Sequence, residues 1–154
     1  MLLVSACLAG VRVRYDASHK LDETIRTLVE EGQAATVCPE MLGGLATPRE
    51  PAEILGGNGD DVLDGAARVV TVSGVDVTAS FIEGAYRTLE KARAMNATAV
   101  VLKEHSPSCG SSWIYDGRFS GKTLAGSGVT AALLRRHGIE VIAERQLADL
   151  LLQR

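Results

Sequence analysis

The sequence predicts an α/β fold: a single three-layer, Rossmann-like domain over residues 1–154, with a mainly parallel sheet covered by helices. Short apolar runs rich in β-branched residues alternate along the chain with segments of helical periodicity. The connections between them are short, which favours right-handed crossovers and parallel pairing of the strands. A length of 154 residues suits one domain, and no internal repeat or long linker divides the chain.

The first half of the chain carries the strands and the helix that a parallel unit needs. Leu2–Ser5 is predicted as a short buried strand, and Leu21–Glu31 places its apolar residues on one face of a helix. Ala34–Cys38 and Arg68–Val72 are predicted as the next two strands. The segment Ala52–Ala66 is rich in Gly, Asn and Asp, which predicts a mobile excursion from this regular pattern.

The second half alternates helices and strands in the same way. The predicted elements are a helix over Ala79–Met95 capped by Asp76 or Thr78, a strand over Thr98–Lys103, a helix over Val129–His137, a strand over Ile139–Ala143 and a terminal helix presenting Leu147, Leu150 and Leu151. One segment departs from the alternation. Trp113–Ser120 places Asp116-Gly117 between two short runs, which predicts a small hairpin with a type I′ turn.

Composition and charge exclude several classes of protein. A hydrophobic fraction of 46% with 23% charged residues excludes intrinsic disorder. The net charge of -3 argues against a polyanion binder, so a nucleic acid partner is not expected. The apolar run Met1–Val11 is interrupted by Ser5 and is about half the length of a membrane span, so no membrane partner is expected. Three cysteines, an odd count, do not fit a secreted disulfide scaffold and indicate a reduced, cytoplasmic protein.

The three cysteines are the most informative residues. Cys7, Cys38 and Cys109 each follow the carboxyl end of a different predicted strand, and each has Gly, Pro or Ser neighbours. Because the carboxyl ends of parallel strands share one edge, where ligands bind, the three thiols are expected to converge there. Three thiolates suit an iron–sulfur cluster or a zinc ion.

Three kinds of chemistry are compatible with this set of residues. A cluster held by three cysteines leaves one iron open to a substrate, since complete ligation by cysteine takes four. A Cys₃His zinc site with His105 as the fourth ligand is the main alternative. A metal-free thiol enzyme, in which Cys109 or Cys38 attacks and His105 acts as base, leaves the other cysteines without a role.

Polar residues near the cysteines supply candidate roles in catalysis and binding. Glu40, two residues after Cys38, is a candidate general acid or base. Ser106 and Ser108 flank Cys109 and are candidate hydrogen-bond donors to a ligand. The candidate substrate-binding cations are Arg12, Arg14 and Arg49, and the amides that open the helix at Val129 are a further candidate contact for an anionic or carbonyl group.

Taken together, the motifs resemble the thiouracil desulfidase (TudS-type) family, formerly a bacterial and archaeal domain of unknown function. The motifs that carry the resemblance are Ser5–Gly10, Arg14–Asp16, Val37–Glu40, Leu42–Leu45, Thr47–Arg49, Asp76–Thr78, Lys103-Glu104, Ser106–Gly110, Ile114–Gly117, Phe119–Gly121 and Gly128–Ala131. They extend over nearly the whole chain.

The resemblance implies a [4Fe-4S] cluster held by Cys7, Cys38 and Cys109, with one open iron for the sulfur of a thiolated pyrimidine. Water then replaces that sulfur without net redox change, giving uracil and hydrogen sulfide. The acid/base carboxylate of the family falls on Glu40 and its serine on Ser106, with Ser108 close by. A small-molecule substrate, a free base or nucleoside, is expected. A non-catalytic iron–sulfur or zinc protein that stores or senses sulfur or metal is the alternative, and the sequence does not indicate an oligomeric state.

Overall fold

The secondary structure alternates strands and helices, as the sequence predicts. The computed structural model describes residues 2–6 and 23–147. In chain order the elements are β1 (Leu2–Ser5), α1 (Glu23–Glu30), β2 (Ala34–Val37), α2 (Pro39–Leu42), β3 (Ala52–Leu55), α3 (Gly59–Leu63), β4 (Arg68–Thr71), α4 (Thr78–Ala94), β5 (Ala99–Leu102), β6 (Trp113–Tyr115), β7 (Thr123–Ala125), α5 (Val129–Arg136), β8 (Val141–Ala143) and a 3₁₀ turn (Glu144–Gln146).

The central sheet is parallel and has four strands in the order β2-β1-β5-β8. Strand β1 pairs in parallel with β2 on one side and with β5 on the other, and β5 pairs in parallel with β8. The prediction of a mainly parallel sheet is confirmed. All four strands therefore end at the same edge, and the three that precede the cysteines are neighbours there.

Helices cover both faces of this sheet, which gives the three predicted layers. Leu2 and Val4 point to one face, where they are buried in a cluster with Ile25 and Leu28 of α1. Leu3 points to the opposite face, in the larger cluster that holds side chains of α4 and α5. This alternation follows from the period of two of a strand, and it makes β1 apolar on both sides.

Most helix and strand predictions are confirmed to within a few residues. Helix α4 begins at Thr78, so its N-cap residue is Val77 and not the predicted Asp76 or Thr78, although the Asp76 carboxylate accepts the Thr78 amide at 2.9 Å. Helix α5 ends just before Gly138, which takes a left-handed backbone with φ +77. Leu147 is buried, and the rest of the predicted terminal helix lies outside the described residues. Within those residues, none of the helices is long and apolar enough to cross a membrane.

In the segment between β2 and α4, the predicted mobile excursion is wrong, whereas the predicted strand over Arg68–Val72 is confirmed. Residues 52–66 are not a mobile excursion, because they form β3 and α3. Helix α3 starts from a reciprocal cap in which Asn58 and Asp61 each accept the other's backbone N–H, at 3.1 and 2.9 Å. Strand β4 exists, but it pairs antiparallel with β3 in a separate two-stranded sheet and does not extend the parallel one.

The predicted hairpin forms, but its turn is different. Strand β6 pairs antiparallel with β7, so residues 116–122 connect the strands in place of a two-residue turn at Asp116-Gly117. The cause is a contact made elsewhere in the chain. The buried Glu53 carboxylate accepts the backbone N–H of Gly117 at 2.9 Å and that of Phe119 at 3.3 Å, which draws the connection onto β3.

Candidate active site

A cavity of about 620 Å³ lies at the carboxyl edge of the central sheet, and both described cysteines line it. Cys38 directly follows β2 and is half-buried, and Cys109 lies in the loop after β5 and is buried. Strand β1 ends between them, and Ser5 and Ala6 also line the cavity. Cys7 is the next residue in the sequence, and it lies outside the described residues, as Arg12 and Arg14 do.

The loop that carries Cys109 is organised by Ser106. The Ser106 hydroxyl oxygen accepts the backbone N–H groups of Ser108 and Cys109, both at 3.1 Å. The Ser106 carbonyl accepts the Gly110 N–H at 2.9 Å. Both hydroxyl contacts use oxygen lone pairs, so they leave the hydroxyl hydrogen for donation. Ser106 lines the cavity and combines a loop-stabilising role with a donor available to a ligand.

Ser108 points in the other direction. Its side chain is buried, and its hydroxyl pairs with that of Thr130 in α5 at 2.7 Å. It is not among the residues that line the cavity. The structure therefore does not support the prediction that Ser108 contacts substrate, because its hydroxyl is used in joining the loop to the helix.

The amino end of α5 holds the same loop. The backbone N–H groups of Gly128, Val129 and Thr130 donate to the carbonyls of Gly110, Pro107 and Ser108, at 2.8, 2.8 and 2.9 Å. The helix-start amides that the sequence offered to a ligand thus bind carbonyls of the chain itself. A Cβ built on Gly128 would lie 2.5 Å from the Ser108 carbonyl, so a glycine is needed for this close approach.

Substituting Gly128 with alanine is expected to displace the Cys109 loop without unfolding the protein. The added methyl group overlaps backbone that cannot move unless the loop leaves the helix, which costs about 1–3 kcal/mol. The measurement is urea unfolding together with the rate at which an iodoacetamide probe alkylates Cys109. Gly126→Ala in the same connection is the control, since its closest contact is the Asn58 side chain at 3.1 Å. Equal alkylation rates in Gly128→Ala and the wild type would contradict this role.

Glu104 is a structural residue of the site to which the sequence analysis assigned no role. One carboxylate oxygen accepts the backbone N–H groups of Ser111, Ser112 and Trp113, at 2.9, 3.0 and 3.0 Å, and the other accepts the Ser111 hydroxyl at 2.9 Å. Burial by itself raises the pKa of Glu104, but these hydrogen bonds outweigh it and hold the pKa below its ordinary value. The ionised carboxylate therefore closes the chain segment that contains Cys109. The signals in the sequence were its position after β5 and its place in the Lys103-Glu104 motif, and neither indicates this role.

Replacing Glu104 with alanine is expected to destabilise the protein by about 2–4 kcal/mol, because it leaves buried N–H groups without their acceptor. Glu104→Gln keeps one acceptor oxygen and is expected to cost less. Urea unfolding measures both. Glu83→Ala removes an exposed ion pair with Arg87 and is the control, with an expected cost of about 0.3–0.5 kcal/mol.

The same contacts make part of the stability depend on pH. Because the pKa of Glu104 is lower in the folded protein than in the unfolded chain, its contribution is complete above the unfolded value, about 4.3. That contribution is lost as the pH falls through the lowered folded value. The wild type should lose more stability than Glu104→Gln below about pH 4.3. If the free energy of unfolding fell equally with pH in the two proteins, this account would be contradicted.

Glu40 lies at the edge of the cavity, in the first turn of α2, and is paired with Arg49. The Arg49 Nε atom lies 3.3 Å from the Glu40 carboxylate, and the two side chains are 10% and 18% exposed. Arg49 also donates through Nη1 to the Ala46 carbonyl at 3.0 Å and to the Thr47 hydroxyl at 2.9 Å. Arg49 lines the cavity, but these contacts direct its guanidinium to Glu40, the Ala46 carbonyl and the Thr47 hydroxyl.

The donor chemistry of the site suits a soft metal centre. Burial raises the pKa of the Cys38 thiol although the Arg49 cation acts in the opposite direction, and a bound metal would stabilise the thiolate form further. No three His, Cys, Asp or Glu side chains in residues 2–6 and 23–147 form a group that could hold a metal ion. His105 therefore does not complete a metal site with Cys38 and Cys109 within these ranges. A metal held by Cys38 and Cys109 would therefore take its third ligand from outside these ranges, where Cys7 lies in the sequence.

Comparisons with known proteins agree with the fold and show the family of the chain. The 2-thiouracil desulfurase family profile matches residues 2–146. YbbK of Bacillus subtilis (strain 168), an uncharacterized protein, is 59% identical over 151 residues, which are 98% of this chain and 100% of YbbK. A solved structure of the [4Fe-4S]-dependent thiouracil desulfidase TudS is 49% identical, with a TM-score of 0.86 over 99% of this chain and 95% of that one.

Proposed function

Because the chain belongs to the 2-thiouracil desulfurase family, we propose that it desulfurates thiolated pyrimidines, converting thiouracil and water to uracil and hydrogen sulfide. The observation that carries the proposal is that the candidate ligands and the candidate catalytic residues lie at the same cavity. Cys38, Cys109, Glu40 and Ser106, which enter from β2, α2 and the loop after β5, all line one cavity. Cys7 follows the strand that ends between β2 and β5.

Three thiolates of this chain, from Cys7, Cys38 and Cys109, would hold a [4Fe-4S] cluster. When bound, such a cluster supplies an open iron that is a soft Lewis acid for a thiocarbonyl sulfur. The TudS structure is described as [4Fe-4S]-dependent, which supports the same cofactor here. The protein would bring the three thiolates together, because the strands that precede them are neighbours in the parallel sheet and end at the same edge.

Glu40 acts as the general base and then as the general acid. Its carboxylate takes a proton from the water that attacks the thiocarbonyl carbon, so that a C–O bond forms as the C–S bond breaks. The carboxylate then delivers this proton to the leaving sulfur. The second proton of the water leaves the oxygen as the carbonyl forms and also ends on sulfur, so that uracil and hydrogen sulfide are released. Sulfur remains at the sulfide oxidation level throughout, and the step consumes no electrons. Arg49, held by the Ala46 carbonyl and the Thr47 hydroxyl, fixes the direction of the carboxylate.

Ser106 donates its hydroxyl hydrogen to the substrate. The two backbone amides that its oxygen accepts fix the hydroxyl in place, so little rotamer freedom is lost when a substrate binds. Ser106, and not Ser108, is therefore assigned this role. The substrate is a small molecule, a free base or nucleoside, because the net charge of -3 does not favour an RNA. Reduced thiolates place the reaction in the cytoplasm.

The experiment that tests the function combines cofactor content with turnover. The protein is reconstituted anaerobically, its iron and acid-labile sulfide are measured, and hydrosulfide release from 2-thiouracil and 4-thiouracil is followed. About four irons and four sulfides per chain with hydrosulfide release are expected. Iron without turnover would overturn the enzymatic proposal in favour of storage or sensing. Bound zinc without iron would overturn both the cofactor and the reaction.

A further inference from the structure

The cavity is lined by ring-bearing residues from three segments of the chain. His105 precedes the Cys109 loop, Tyr115 lies on β6, and Phe119 lies in the connection after it, and all three line the cavity. The rings of His105 and Tyr115 are in contact, with centroids 5.7 Å apart and planes tilted by 36°. With only two Phe, three Tyr and one Trp in the sequence, such a concentration at one cavity is unusual.

Two of these residues have a backbone conformation that costs free energy. In the described part of the chain, the non-glycine residues with positive φ are Asn96, His105 and Phe119, at 52°, 72° and 55°. Asn96 follows the end of α4, where asparagine commonly adopts this conformation. Histidine tolerates it better than most residues, whereas for a bulky phenylalanine it is strained. Two of these three residues, His105 and Phe119, line the cavity.

The core does not account for this strain. The two buried apolar clusters include none of the residues His105, Tyr115 and Phe119. Tyr115 is 37% exposed. Phe81, the other phenylalanine, is 1% exposed and lies in the core. Phe119 instead donates its N–H to the Glu53 carboxylate at 3.3 Å, and it lines the cavity.

We propose that His105, Tyr115 and Phe119 form an aromatic wall that binds the planar ring of the substrate by stacking. The inference rests on the proposed function and adds to it the part of the site that selects the substrate. Stacking on aromatic side chains favours flat, π-conjugated heterocycles and tolerates differences in ring substituents. The wall therefore selects a planar pyrimidine ring, while the residues around Cys38 and Cys109 act on its sulfur.

The test compares variants at Phe119 that separate the ring from the backbone. Phe119→Ala and Phe119→Gly both remove the ring, but only glycine adopts positive φ without strain. Both are expected to raise the KM for 2-thiouracil and the calorimetric Kd for uracil about tenfold, with kcat little changed. Phe119→Gly is expected to melt about 2–4 °C above Phe119→Ala. Phe119→Tyr keeps an aromatic ring at this position and should therefore have the KM and Kd of the wild type.

Two controls complete the design. Asn96→Gly places glycine at a left-handed position remote from the cavity and should leave KM unchanged. A saturated analogue, 5,6-dihydro-2-thiouracil, keeps the polar groups but loses the planar ring, so the wild type should discriminate against it and Phe119→Ala should not. Wild-type KM and Kd in both Phe119→Ala and Phe119→Gly would overturn the aromatic wall alone. A wild-type protein that neither binds nor desulfurates 2-thiouracil would overturn the proposed function and this inference together.

Discussion

Replacing Cys109 with serine is expected to abolish both cofactor binding and turnover. A serine hydroxyl is a harder and far less acidic ligand than a thiol, so it does not replace a thiolate at iron. The substitution removes little volume, and Cys109 is 6% exposed in a loop held by Ser106 and α5, so the apo protein should still fold. The measurements are iron and sulfide per chain, hydrosulfide release and the melting temperature of the apo protein.

The same loss is expected for Cys7→Ser and Cys38→Ser, because an open cluster with two remaining thiolates is not retained. Ser112→Ala is the control, since Ser112 is exposed in the same segment and contributes its backbone N–H, not its side chain, to Glu104. It should keep full iron content and full activity. Wild-type turnover in any one of the three cysteine variants would remove that residue from the ligand set.

Replacing Glu40 with alanine is expected to lower kcat by about 10²–10⁴-fold while the cluster is retained. The carboxylate lines the cavity but is assigned to proton transfer and not to metal binding, so the visible absorbance should match the wild type. The readouts are absorbance, iron content and single-turnover rates with 2-thiouracil. Glu40→Gln keeps the shape of the side chain and should lose activity to a similar extent.

A nearby acid provides the control for charge. Glu50 lies one residue after Arg49, is exposed, and pairs with the Ser73 hydroxyl at 2.5 Å. Glu50→Gln removes the same formal charge near the site and should leave kcat unchanged. Full activity in Glu40→Ala would show that another group moves the proton. Loss of iron in that variant would show instead that Glu40 holds the cofactor or its loop.

The elements predicted correctly are those whose signal is local. The β-branched run around Ala99–Leu102 and the apolar stripe of α4 specify a strand and a helix from their own residues. The pairing of β3 with β4 is not local in this sense. Its Gly- and Asp-rich connection resembles an irregular loop, and the helix inside it depends on the reciprocal cap of Asn58 and Asp61.

Much of the candidate site could also be predicted, because the carboxyl edge of a parallel sheet follows from strand order alone. That rule brings Cys38 and Cys109 to one cavity. It does not tell Ser106 from Ser108, since the two are separated by one residue and differ only in which way the loop turns them. The structural role of Glu104 could not be predicted either, because its partners are backbone amides of residues 111–113, which have no signature in the sequence.

The strand order also has a consequence for how the protein matures in the cell. Strand β1 lies between β2 and β5, and its partner in β5 is distant in sequence, with Leu2 aligned to Ala99. The Cys109 loop is further held by amides at residues 128–130. In a nascent chain, the predicted ligand positions therefore come together only after α5 has been synthesised and the long-range parallel pairings have formed, which is a slow step in folding. A cofactor held by these cysteines would accordingly be inserted late, after the strands have paired.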